Sequence, residues 1–110
     1  MSEKKGVALG EKLNLGELAG YQEGAVVSRT VLDKPVGTIT AFAFDAGEGL
    51  SEHSSPYDAF VQVLDGEAEI KIEGKVQTVA TGEIVIMPAN KLHSLRAVKR
   101  FKMLLVMIRA

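Results

Sequence analysis

From Ala25 onward the chain is a succession of short apolar runs, each closed by glycine, proline, asparagine or aspartate at a spacing of roughly ten residues. No run is long enough, or has the right period, for a helix of ordinary length. AVVSRTVL (25–32) stops at Asp33-Lys34-Pro35, where proline removes a ladder donor and aspartate favours a turn. VGTITAFAF (36–44) alternates, with Ile39 on one face and Thr38, Thr40, Phe42 and Phe44 on the other. Runs at 59–64 and 67–73 flank Asp65-Gly66, a dipeptide that predicts a tight two-residue hairpin. In the second of these, Ala68, Ile70 and Ile72 alternate with Glu67, Glu69, Lys71 and Glu73, giving one dry face and one wet face. Glu73-Gly74-Lys75 reads as a further turn, and runs at 76–80, 84–87, 93–98 and 101–108 complete about eight or nine strands. Such a pattern predicts an all-β, antiparallel sandwich or barrel. Ahead of it, residues 1–7 are expected to fray, and KLNLGELAGY (12–21) to form a short strand or one helical turn. The organisation expected is a single domain, 1–110, with an N-terminal arm at 1–24 and the barrel at 25–110.

Composition narrows the function classes. A chain of 110 residues supports one domain with a modest core. Hydrophobic content of 46% with 25% charged residues is that of a globular protein rather than a disordered one. The net charge of −1 carries no basic block or stripe, so nucleic acid is not the expected partner. Cysteine is absent, which removes disulfides, thiolate nucleophiles and thiolate metal sites and fits a reducing compartment. No apolar run has the length of a membrane span, and the N-terminus has no apolar core of signal-peptide type. The expected location is cytoplasmic, away from membranes.

Two stretches carry the chemistry. Gly47 to Gly66 contains His53, Gly82 to His93 ends on the other histidine, and no further histidine occurs. Each stretch pairs an apolar strand-like run with one imidazole, so both histidines are expected to face one interior site. Ser55, Tyr57 and Ala59 share the parity of His53 and would point inward with it along a regular strand. Glu48, Glu52 and Asp58 read as solvated surface charge, and Met87, Met103 and Met107 as core gap-fillers. The run 101–108 is apolar on both faces apart from Lys102, so both faces must be covered. The expected second cover is another subunit in a homodimer, with the N-terminal segment or an outer sheet face between the copies.

In spacing these two stretches resemble the two motifs of the cupin family, the small jelly-roll barrels. Gly47, His53 and Gly66 keep the spacing of the first motif, and Gly82, Pro88 and His93 that of the second. Asn90 stands where the family has a glycine, and Ala97 where it has an asparagine. The resemblance spans about residues 36–108 and implies an antiparallel jelly-roll barrel. The family usually holds a divalent transition metal with three histidines and a glutamate. Here Ser55 and Ala59 occupy two of those four positions, so only His53 and His93 carry over, as a degenerate and incomplete metal site. The function expected is small-molecule binding in the central cavity by His53, Ser55, Tyr57 and His93. The alternative is a metal-dependent enzyme of cupin type (an oxygenase, isomerase or decarboxylase) using His53 and His93 as ligands.

Overall fold

The computed structural model describes residue 7 and residues 9–109. Eight strands follow a 3-10 turn at Leu15–Glu17: β1 Val26–Lys34, β2 Gly37–Phe44, β3 Gly49–His53, β4 Asp58–Ile72, β5 Lys75–Ala80, β6 Ile84–Met87, β7 His93–Arg96 and β8 Phe101–Ile108. All pairings are antiparallel, and no α-helix occurs among the described residues. The strand order is β1-β2-β8-β4-β7-β3, with β5 and β6 also paired to β4. This is the all-β antiparallel architecture expected from the alternation, in the jelly-roll form that the resemblance implies. The segment at 12–21 takes its helical alternative. Of the start expected to fray, only Val7 is described, and its N–H donates to the Val31 carbonyl at 3.1 Å; residues 1–6 lie outside the described residues.

The 15-residue strand β4 belongs to both sheets. Its first half pairs with β8 and β6, its second half with β7 and β5. The expected hairpin at Asp65-Gly66 is therefore absent: the dipeptide lies inside β4, at the corner where the strand leaves one sheet for the other. A register shift against β8 falls between Val63 and Asp65. Gly66 has φ 78°, and a Cβ built there would lie 2.3 Å from the Arg100 carbonyl oxygen. Glycine is needed for backbone approach as well as for conformation. The tight turn comes one motif later. Glu73 (φ 49°) and Gly74 (φ 82°) both occupy the left-handed region between Ile72 and its partner Lys75, as a two-residue hairpin of the twist-matched kind requires.

Inward-facing side chains build one core from Phe44, Val61, Val63, Ala68, Ile70, Phe101 and Met103. Phe44 and Phe101 stack at 4.4 Å between ring centroids and fill the end of the barrel beside Gly66. A second, smaller cluster lies on the outer face of β2. There Leu18 and Ala19 cover Ala41 and Ala43, with Tyr21 and Leu104 at the edge. Polar contacts hold this N-terminal segment down. The Tyr21 hydroxyl donates to Asp65 at 2.5 Å, and Arg100 and Lys102 each lie 5.0 Å from the Tyr21 ring centre. Lys102 Nζ donates to the Gly16 carbonyl at 2.6 Å, and Asp45 accepts from both the Gly24 N–H and Arg100. Burial and the bond to Asp65 push the Tyr21 phenol well above its ordinary pKa, so it stays a donor. The Gly24 N–H, and then Arg100, hold the Asp45 carboxyl below the usual range.

The two glycines give a controlled comparison. Both have positive φ, but a Cβ at Gly74 meets nothing within 4 Å. Gly74→Ala should cost about 1 kcal/mol from the left-handed conformation alone. Gly66→Ala should cost a further ~1–3 kcal/mol, because the β4–β8 backbones must separate. Urea unfolding of the two variants measures the difference; equal losses would mean that the corner does not depend on close approach.

Candidate functional site

The two histidines meet because β3 carries an extra residue. Leu50 pairs with Leu95 and His53 with His93, so three steps along β3 answer two along β7. The bulge brings the imidazoles edge to face, 4.5 Å between ring centres at an interplanar angle of 73°. His93 is 4% exposed, whereas His53 is open to solvent. His53 Nδ1 lies 2.7 Å from the Ser51 carbonyl oxygen and His93 Nδ1 lies 3.2 Å from that of Lys91. A carbonyl oxygen only accepts, so each Nδ1 carries a hydrogen, and in the neutral form of each ring the Nε2 is left with a lone pair. Neither Nε2 has a hydrogen-bond partner among the described residues. No buried side-chain nitrogen or oxygen is orphaned there either, so the His93 Nε2 reaches solvent.

Both rings line a cavity of about 50 Å³, whose other walls are Leu50, Ser55, Ala59, Met87, Leu95, Met103, Leu105 and Met107. Its surroundings are fixed by the loops. The Asn90 N–H donates to the Ser55 carbonyl at 2.7 Å and the Ala89 N–H to Asp58 Oδ1 at 2.9 Å, stapling the β6–β7 loop to the β3–β4 loop. Asn90 makes this turn at φ 67°, where the family motif has its glycine, because asparagine tolerates the left-handed region.

Of the residues read from sequence, His53, Ser55 and His93 come together in the cavity, and Tyr57 does not. Pro56 and Tyr57 form a bend that ends the strand parity, and the Tyr57 ring lies under the Arg109 guanidinium, 5.6 Å from it. The Ser55 hydroxyl is occupied locally, donating to the Tyr57 carbonyl and accepting from its N–H, each at 3.2 Å. Glu52 and Asp58 are exposed, as expected, whereas Glu48 is half-buried. Leu50 was hidden from sequence by the bulge, which reverses parity between residues 50 and 53. Leu95 was legible two residues beyond His93.

The donors present do not complete the family's divalent site. A catalytic zinc takes three protein ligands, and a non-heme iron takes two histidines and a carboxylate. Here the Ala59 methyl has no donor atom and the Ser55 hydroxyl is already engaged. Among the described residues no set of three histidine, cysteine, aspartate or glutamate side chains converges.

A barrel of two antiparallel sheets sharing one strand, with imidazoles gathered at one end of its interior, is of the jelly-roll class. The chain belongs to the cupin family: the cupin domain model matches residues 41–109. A conserved protein of unknown function from Streptococcus pyogenes is 36% identical, with a TM-score of 0.90 over 100% of this chain and 96% of that one. A cupin 2 conserved barrel domain protein from Leptotrichia buccalis is 41% identical (TM-score 0.85), covering 87% of this chain and 47% of that one. A cupin superfamily protein from Desulfitobacterium hafniense is 27% identical (TM-score 0.88), covering 99% and 100% of the two chains. No protein of curated function matches the chain. No helix among the described residues is long and apolar enough to cross a membrane.

Burial, and then repulsion from His53, lower the His93 pKa, against a smaller opposing effect of its bond to Lys91. The unfolded chain therefore takes up this proton more readily than the folded one. The stability carried by neutral His93 is complete above the unfolded histidine pKa of about 6.5 and is lost as pH falls below it towards the folded value. The urea midpoint should fall between pH 7.5 and pH 5.5, and His93→Gln should flatten that slope. An unchanged slope in the variant would assign the pH dependence to other groups.

Proposed function

We propose that the barrel binds a small molecule at its His53–His93 end, through two neutral imidazole acceptors set in an apolar wall. The observation that supports this is the commitment of both Nδ1 atoms to backbone carbonyls, which leaves two Nε2 lone pairs beside one cavity. Such a pair accepts hydrogen bonds and repels anions. The ligand class it favours is a molecule with an O–H or N–H group on an apolar body. Pockets for drug-sized ligands run to roughly 300–1,000 Å³. A cavity of about 50 Å³ takes one end of such a molecule and leaves the rest at the exposed His53 rim. Ser55 shapes the wall, and Tyr57 stands outside it. Small alcohols and amides, compared with carboxylates of equal size, should shift the His93 and Leu95 amide NMR signals at pH 7.5. His93→Phe should remove that response. Carboxylates binding as well as alcohols would overturn the acceptor reading.

We also propose a homodimer. The N-terminal segment covers Leu104 on the outer side of β8, but the apolar stripe runs on past it. There Leu32, Val36, Ile39, Val106 and Ile108 line an open groove of about 380 Å³, with Val36 70% and Ile108 54% exposed. The occupant favoured is the same groove of a second copy, since a twofold contact covers both patches at once. Light scattering at micromolar concentration should give twice the chain mass, and Val36→Glu with Ile108→Glu should return the monomer. A monomer mass for the natural chain would reject the dimer.

A further inference from the structure

The barrel corner that lacks the family's carboxylate has a donor chemistry of its own. Ala59, at the glutamate position of the motif, has Met87 of β6 as its register partner on one side and Met107 of β8 on the other. Directly opposed residues of an antiparallel ladder project from the same face. Met87, Ala59 and Met107 therefore form one row across three strands, and all three line the cavity of the two histidines. Met103, fully buried opposite Val63, lines it as well. Both histidines of the chain and all three of its methionines after Met1 thus surround one space of about 50 Å³. The single methyl of Ala59 leaves room between two unbranched thioethers.

No carboxylate or thiolate lines this cavity. The donor set is neutral: two imidazole nitrogens with free lone pairs and up to three thioether sulfurs. Magnesium, calcium and manganese suit oxygen donors, and zinc usually takes more imidazole, thiolate or carboxylate than two imidazoles supply. Thioethers select soft copper(I), and imidazole also suits copper. A monovalent ion asks less charge compensation of a half-buried site than a divalent one.

We propose that this cavity is a binding site for a soft monovalent metal ion, copper(I), held by the Nε2 atoms of His53 and His93 and by the thioethers of Met87 and Met107. Met103 closes the inner wall. The site shares its space with the small-molecule reading but not all of its atoms. An organic ligand needs the imidazole acceptors and apolar walls, which leucine supplies as well as methionine does. Copper(I) needs the sulfur.

The test is an anaerobic titration of the tag-free full chain with copper(I) against a chromophoric copper(I) chelator. The natural protein should take one copper(I) per chain. Met87→Leu or Met107→Leu should weaken binding by at least about tenfold, and the double variant further, on the soft-donor preference alone. Leucine conserves the volume of methionine, so the fold should survive, as circular dichroism can verify. X-ray absorption of the loaded natural protein should show copper–sulfur scattering beside copper–nitrogen. Silver(I), a redox-silent stand-in, should move the Met87 and Met107 methyl signals of the natural chain in NMR, which requires no variant. Equal copper(I) affinity in the natural and double-leucine chains, scattering without sulfur, or unmoved methionine methyls would each overturn the proposal. The small-molecule reading fails separately, if the double-leucine variant and the natural chain both ignore the alcohol and amide probes.

Discussion

A strand that must serve two sheets has to reverse which of its residues face inward, and β4 does so within a few residues. Ala59, Val61 and Val63 face the core before the corner, and Ala68 and Ile70 after it. Odd positions give way to even ones because the ladder slips between Val63 and Asp65. Gly66 makes the slip possible by letting the β8 backbone approach where a Cβ would collide with it. The site depends on this corner from a distance. The first half of β4 brings Ala59 between Met87 and Met107, and the second half carries Ile72 to the flank of His93.

The same corner marks what the sequence could and could not express. Apolar runs at odd and then even positions, separated by Asp-Gly, are written alike whether the chain folds back or merely kinks. Local turn chemistry favours the hairpin; the pairing partners that decide otherwise lie in β6, β7 and β8, far along the chain. Glu73-Gly74 shows the opposite case, since both residues can take positive φ and the turn needs nothing remote. The alternation of β2 was fully legible, with Phe42 and Phe44 in the core and Ala41 and Ala43 outside.

At the site, the positions of His53, Ser55 and His93 followed from motif spacing, and their company did not. Parity along one strand placed Tyr57 inside, but β3 ends at His53 and the bend at Pro56-Tyr57 breaks the parity. It also left Leu50 outside, because the β3 bulge is not encoded in any residue type. The methionines were visible individually as core residues. Their convergence on Ala59 is a matter of register between three strands, and register is the level at which pattern reading is weakest. Motif comparison alone sees Ser55 and Ala59 as losses. In three dimensions the serine hydroxyl is absorbed into a loop, and the alanine lies between two thioether side chains.

The Tyr21 contacts have a bearing on dynamics. Apart from its 3-10 turn, the segment around Leu18 has no regular structure of its own, and such peripheral stretches ordinarily open independently of a core. Here the Tyr21 hydroxyl is tied to Asp65, the residue at which β4 changes sheets, while Arg100 and Lys102, at the facing end of β8, hold its ring. Lifting the segment removes a partner from the strand crossing itself, and loosening the crossing removes the anchor of the segment. The Tyr21–Asp65 bond therefore couples a stretch with no place in either sheet to the crossing of the barrel's central strand beside Gly66.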